Sequence, residues 1–170
     1  MSELLRTWAQ AVATSAPHDW AIYLLRNVPG FPPIVQTLHI LSIVVIVAST
    51  FFVLLRIVGL ATPSQQLSEM VPRLMPWTWC ALPTLLLTGS IFVLARPQRY
   101  FLNPVFGIKV VAIVVAITLT VYIVRKLKNS SYSAPGFILK VLASLTLLCW
   151  VLIIFAGRWV AYVDYLFPRS

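Results

Sequence analysis

The sequence predicts an all-α integral membrane protein: an antiparallel four-helix transmembrane bundle with an N-terminal interfacial amphipathic helix. Hydrophobic residues make up 60% of the 170 residues and charged residues only 10%, and the mean hydropathy is +0.92. Four apolar segments are long enough to cross a bilayer as helices, which takes about 20 residues each. The connectors between these segments are short, so neighbouring helices must run antiparallel.

The predicted spans divide the chain into three parts. Residues 1–33 form an amphipathic interfacial segment, residues 34–162 the four-helix bundle and residues 163–170 a tail. Hydropathy and length place the spans at about 34–60, 74–95, 105–124 and 136–162. We call the end of the bundle at which the first and third spans begin, and the second and fourth spans end, end A.

The N-terminal segment differs in pattern from the spans. In "SELLRTWAQAV", the apolar side chains of Leu4, Leu5 and Trp8 share one helical stripe, which is typical of a helix lying in the membrane interface. "APHDWAIYLLRN" predicts a second short interfacial helix, with Pro17 at its start and Asp19 in its first turn. "VPGFPP" then turns the chain into the first span.

Basic residues outnumber acidic ones thirteen to four, for a net charge of +9. They lie mainly at the ends of apolar segments, where they orient helices and contact lipid headgroups, so we expect no nucleic-acid partner. The densest cluster is Arg125, Lys126 and Lys128, between the third and fourth spans. The positive-inside rule places it in the cytoplasm and both termini in the periplasm of a bacterial inner membrane. End A also carries arginines, so this bias is weak.

Several classes of site are missing from the sequence. Cys80 and Cys149 each lie within a span, where single cysteines are typically packing residues, and there is no CxxCH motif for covalent haem. The four acidic residues all lie outside the spans or at their ends, so no carboxylate pair crosses the bilayer. No phosphate-binding glycine loop or zinc-ligand spacing is present. Catalysis by the polypeptide alone is therefore not expected.

Basic residues and glycines on different spans lie at a similar depth near end A. His39 lies about five residues into the first span, roughly 8 Å below end A, and Lys109 lies at a similar depth in the third. Gly89 lies near the end of the second span, and Gly157 and Arg158 near the end of the fourth. Helix bundles build their sites from inward-facing side chains on different helices. The sequence therefore predicts a site at this level.

The occupant that suits one imidazole and one amine is a b-type haem. His39 would supply one axial ligand through a ring nitrogen. Lys109 would supply the other, because burial and metal binding both favour a neutral amine; His18, also at end A, is the alternative ligand. Other interpretations stay open: His39 as a hydrogen-bonding group between helices, and Lys109 as a side chain that extends to the interface.

Arginines and glycines near end A complete the predicted haem site. Arg158, Arg99 and Arg96 would pair with the haem propionates, as arginine pairs with carboxylates elsewhere. Gly89 and Gly157 would let a flat macrocycle approach the helix backbone. Arg158 has an alternative role as a headgroup anchor in an aromatic belt.

Several motifs also carry a family resemblance. "HILSIVVIVASTFFVLLRIVGL", "RLMPWTW", "LLTGSIF", "RYFLNPVFGIK" and "CWVLIIFAGRWVAY" together look like an uncharacterised group of bacterial four-helix membrane proteins, over residues 34–162. The order of His, TG and Lys along the spans also resembles HemJ-type protoporphyrinogen oxidases and the membrane domain of CopD-type copper-resistance proteins. The HemJ resemblance implies that His39 and Lys109 contact haem. The long N-terminus and the "RLMPWTW" and "AGRW" elements depart from that type, so haem binding carries over better than the oxidase reaction.

We therefore expect a haem b-binding, cytochrome-like subunit that passes electrons between a partner protein and the quinone pool. The partner would be a peripheral dehydrogenase or another subunit at end A, and a homo-oligomer is a further option. The alternatives are a HemJ-like porphyrinogen oxidase, CopD-like copper transport, and a membrane anchor or assembly subunit without haem. An electron-transfer or anchor subunit fits the sequence better than a stand-alone enzyme.

Overall fold

A computed structural model describes residues 2–61, 64–128, 135–160 and 162. Residues 129–134 of the last predicted connector and the predicted tail at 163–170 lie outside this part of the chain. Within it the secondary structure is helical, which confirms the predicted all-α class. The helices are α1 (Ser2–Ala13), α2 (Ala16–Asn27), α3 (Phe31–Val58), α4 (Leu67–Ala95), α5 (Pro97–Phe101), α6 (Pro104–Lys128) and α7 (Phe137–Trp159).

Four of these helices, α3, α4, α6 and α7, are long and apolar enough to cross a membrane. The most extensive packing joins α3 to α4 and α6 to α7, and contacts of α3 with α7 and of α4 with α6 close the bundle. Large apolar side chains such as Val44, Leu86 and Val114 point outward and are exposed. Outward apolar surface on every span is what a lipid environment requires, so the chain is a multi-pass membrane protein.

Helix α4 begins at Leu67, whereas the sequence predicted its span from about residue 74. Pro72 and Pro76 favour the later start, because proline removes a backbone donor within a helix. In the structure the helix runs through both prolines. The reason is tertiary: Met70 and Val71 are buried with Leu67 on one face of α4, and this packing outweighs the local cost.

Local motifs set one end of α3 and one end of α6. Gly59 adopts the left-handed conformation (φ 94°) after α3, and the N–H of Leu60 donates to the Leu55 carbonyl at 2.9 Å. This is the Schellman arrangement that terminates many helices. At the start of α6, the Asn103 side chain accepts the Val105 N–H at 2.9 Å, which satisfies one of the free donors of the first turn. The second motif places Lys109 just over one turn into α6.

The two short helices predicted at the N-terminus are present as α1 and α2. Contacts of α1 with α5 and of α2 with α4 hold them against end A. Ala9 and Ala21 are almost fully buried in these contacts, whereas Trp8 and Trp20 are exposed. Exposed tryptophans beside the ends of membrane spans suit the headgroup region, where such residues are enriched.

Candidate functional site

The imidazole of His39 on α3 faces the end of α4. Its Nδ1 lies 2.8 Å from the Thr88 hydroxyl oxygen, and that hydroxyl donates its own hydrogen to the Thr84 carbonyl at 2.7 Å. A hydroxyl has a single hydrogen, so when Thr88 donates to Thr84 its oxygen accepts the N–H of His39 Nδ1. In the neutral ring Nε2 then carries a lone pair, and the His39 ring presents a metal-ligating or proton-accepting nitrogen.

Gly89 and Phe92 restrain the same ring. A Cβ at Gly89 would lie 3.2 Å from His39 Cε1, a distance at which the ring would have to move. Phe92 meets the imidazole edge to face, with ring centroids 6.3 Å apart and an interplanar angle of 83°. The absence of a side chain at Gly89 is therefore what lets the imidazole pack on the α4 backbone.

Lys109 on α6 packs against a glycine of the adjacent helix α7, just as His39 on α3 packs against a glycine of α4. A Cβ at Gly157 on α7 would lie 3.4 Å from Lys109 Nζ and 3.6 Å from Cε. An electrostatic interaction couples Lys109 to His39, which places the two basic side chains near one another. In the part of the chain that the structure describes, no carboxylate pairs with the Lys109 ammonium. The site is therefore basic, and its charge favours an anionic partner.

The three arginines predicted for the site all lie at end A. Arg158 follows Gly157 on α7 and is exposed; its Nη2 donates to the Tyr162 hydroxyl at 3.2 Å, and its guanidinium lies 5.3 Å from the Tyr162 ring centroid. Arg96 is exposed at the junction of α4 and α5, and Arg99 is partly buried on α5. The predicted pairing of these arginines with propionates stays a prediction.

His18 has a structural partner of its own. Its Nδ1 donates to the Leu94 carbonyl at 2.7 Å. Leu94 lies in the last turn of α4, where carbonyls lack a partner within the helix, so His18 caps that helix end and fastens α2 to it. Leu94 follows Gly89 by five residues, so His18 lies about 8 Å nearer end A than His39 does. Its proposed use as a ligand stays untested.

Sequence reasoning did not assign roles to Thr88 and Phe92. Both lie on the same face of α4 because they are four residues apart. The available signal was the motif "LLTGSIF", in which Thr88 precedes Gly89 within an otherwise apolar span. A threonine there predicts a hydroxyl in the bundle, but its partner depends on how α3 and α4 are rotated against each other.

The donor set limits what the site can hold. Among the described residues, no three His, Cys, Asp or Glu side chains come together as a metal cluster. A single imidazole holds a metal firmly only when the metal brings most of its own ligands, as a porphyrin does for iron. The lone pair on His39 Nε2 fits such a group, whereas Gly89 and Gly157 pack against the His39 and Lys109 side chains themselves.

The fold and the site define a multi-pass helical membrane protein with a basic site between its helices near one end. The chain belongs to the family of unknown function DUF6644, whose model matches residues 26–163. No curated protein and no solved structure matches the chain. The membership confirms the predicted uncharacterised family, and no named relative supports the HemJ-type or CopD-type resemblance.

Proposed function

We propose that the protein is a haem b-binding membrane subunit that transfers electrons between a partner protein and the quinone pool. One observation carries the proposal: His39 is hydrogen-bonded to Thr88 through Nδ1, which leaves Nε2 as the nitrogen available to a ligand within the bundle. Histidines that bind metals characteristically donate the other ring N–H to a neighbouring acceptor, which sets their tautomer and orientation.

The other residues of the site take supporting roles. Gly89 and Gly157 let His39 and Lys109 pack on the backbones of α4 and α7 and so position them. Lys109 supplies either a second ligand or a cation for a propionate. Arg158, Arg99 and Arg96 stand at end A, where carboxylates of the group would meet the interface. The haem supplies one-electron chemistry when bound, and the protein sets its orientation and surroundings.

The location and partners belong to the same proposal. The cluster Arg125, Lys126 and Lys128 lies at the far end of the bundle from end A, which supports a bacterial inner-membrane protein with end A in the periplasm. There the exposed faces of α1 and α2 would contact a peripheral dehydrogenase or another subunit. Removal of residues 1–27 should release that partner in a pull-down, and an undiminished complex would count against this contact.

Absorption spectroscopy tests the haem proposal directly. Protein purified in detergent from haem-replete cells should show a Soret band, with sharp α and β bands after reduction by dithionite. His39→Ala should lose these bands. His18→Ala is the matched control, because the chain has two histidines and His18 caps α4 instead; its spectrum should stay that of the wild type. A changed oxidised spectrum in Lys109→Ala would identify Lys109 as the second ligand.

Two outcomes would overturn the proposal. A colourless wild-type protein would leave a role in helix packing or partner anchoring for His39 and Lys109. Bands retained at full intensity in His39→Ala would place the haem elsewhere.

A porphyrinogen oxidase is the second candidate, because the order of His39, Thr88–Gly89 and Lys109 along the spans resembles the HemJ type. Rescue of a strain that lacks this oxidase would select it over an electron-transfer subunit. Copper accumulation on expression would instead select the transport alternative.

A further inference from the structure

The central part of the bundle contains a layer of buried hydroxyl groups, which we call the hydroxyl layer. Each of the four spans contributes to it, and each contributing residue is at most 5% exposed. Its members are Ser49 and Thr50 on α3, Thr78 on α4, Thr120 on α6 and Thr146 on α7.

Helix register places these residues at one level. Thr50 follows His39 by eleven residues, and Thr120 follows Lys109 by eleven. On the helices that run the other way, Thr146 precedes Gly157 by eleven residues and Thr78 precedes Thr88 by ten. At 1.5 Å per residue the layer lies about 16 Å deeper than the site at end A. The hydrogen bond between Ser49 and Thr78 shows directly that α3 and α4 meet at this level.

Every hydroxyl of the layer already donates its hydrogen to an acceptor. Ser49 donates to the Val45 carbonyl at 2.6 Å, and so the Thr78 hydroxyl donates to the Ser49 oxygen, also at 2.6 Å. The other three donate to carbonyls four residues earlier on their own helices, at 2.5 to 2.7 Å: Thr50, Thr120 and Thr146. The layer can therefore accept further hydrogen bonds through the lone pairs of its oxygens.

Trp150 supplies an unused donor beside the layer. Its side chain is 4% exposed, and its Nε1 has no hydrogen-bond partner among the described residues. Trp150 lies four residues after Thr146, hence on the same face of α7, and helical side chains lean toward the N-terminus, here toward Thr146. An unpaired N–H in an apolar interior is costly, and a buried tryptophan normally finds an acceptor.

We infer that the hydroxyl layer and Trp150 bind an internal water molecule. The water accepts the Trp150 Nε1 hydrogen and donates its two hydrogens to oxygens of the layer, which satisfies the indole and matches the three hydrogen bonds typical of buried water. All of these groups are uncharged, so the site suits a small neutral molecule and disfavours an ion. The inference is independent of haem binding, because no residue of the end A site takes part.

Nuclear magnetic resonance of the detergent-solubilised protein with ¹⁵N-labelled tryptophan tests the inference. The chain has six tryptophans, and Trp150→Phe identifies the Trp150 indole signal. That signal should show a nuclear Overhauser cross-peak to water while its hydrogen exchanges slowly with D₂O, as a buried N–H bonded to a trapped water should. Thr146→Val and Thr120→Val should each shift the signal, because each removes an acceptor for the water.

Thr118→Val is the matched control for Thr120→Val. Thr118 lies on the same helix and donates to the Val114 carbonyl at 2.8 Å, but it is exposed on the outer face. The Thr118→Val substitution should leave the Trp150 signal unchanged. A Trp150 indole without a water cross-peak, or an equal shift in Thr118→Val and Thr120→Val, would overturn the inference. If Trp150→Phe does not fold, a high-resolution structure decides: a density peak about 3 Å from Nε1 supports the site, and its absence refutes it.

Discussion

Substitution of Gly89 by alanine should disturb His39 in a measurable way. The new Cβ would lie 3.2 Å from His39 Cε1, so the ring must shift by a few tenths of an ångström. The 2.8 Å hydrogen bond to Thr88 holds the ring against the same helix. A shift away from α4 lengthens this bond, because Thr88 and Gly89 belong to the same helix.

Two opposing terms determine the change in stability. Loss of the hydrogen bond should cost about 0.5–1.5 kcal/mol, whereas replacing glycine by alanine within a helix gains up to ~1 kcal/mol. These terms nearly cancel, so the stability of Gly89→Ala alone is uninformative. Gly107→Ala on α6 measures the gain in helix propensity alone, because a Cβ there meets no atom within 4 Å. We expect Gly89→Ala to be less stable than Gly107→Ala by about 0.5–1.5 kcal/mol.

Gly157→Ala should fall between these two variants. Its Cβ would meet Lys109 Nζ at 3.4 Å, and the end of a flexible lysine side chain moves more easily than a restrained ring. Unfolding in mixed detergent micelles, monitored by circular dichroism, gives the order of stability of the three variants. ¹⁵N spectra of the histidine rings should show a changed His39 signal in Gly89→Ala alone. Equal stability of Gly89→Ala and Gly107→Ala, with an unchanged His39 signal, would refute the packing argument.

Two further predictions concern the hydrogen bonds at end A. Thr88→Val removes the hydroxyl that accepts the Nδ1 hydrogen of His39. It should cost about 1–3 kcal/mol and increase the tautomer protonated at Nε2 in ¹⁵N spectra. Thr88→Ser should restore both, and a wild-type tautomer ratio in Thr88→Val would contradict the assignment. His18→Phe keeps an aromatic ring but removes the donor to Leu94, so hydrogen exchange in α2 should accelerate while α3 stays protected. Unchanged exchange in α2 would show that packing alone holds this helix.

Much of the fold was predictable because membrane insertion depends on local composition. A run of about 20 apolar residues forms a span whatever its neighbours are, and the structure has four such helices. The start of α4 was not predictable in this way. Pro72 and Pro76 weaken the helix locally, and the burial of Leu67, Met70 and Val71 that compensates for them exists only after α4 packs in the bundle.

The candidate site, like the fold, has features that the sequence predicts and features that depend on how the helices pack. The sequence by itself predicts a similar depth for His39 and Lys109, because the rise of a helix converts residue number into distance along its axis. Only the tertiary structure decided which glycine each side chain meets, that His39 bonds Thr88, and that His18 caps α4. The physical reason is rotation: the direction in which a side chain leaves its helix matters only relative to neighbouring helices, and close packing between them sets that angle.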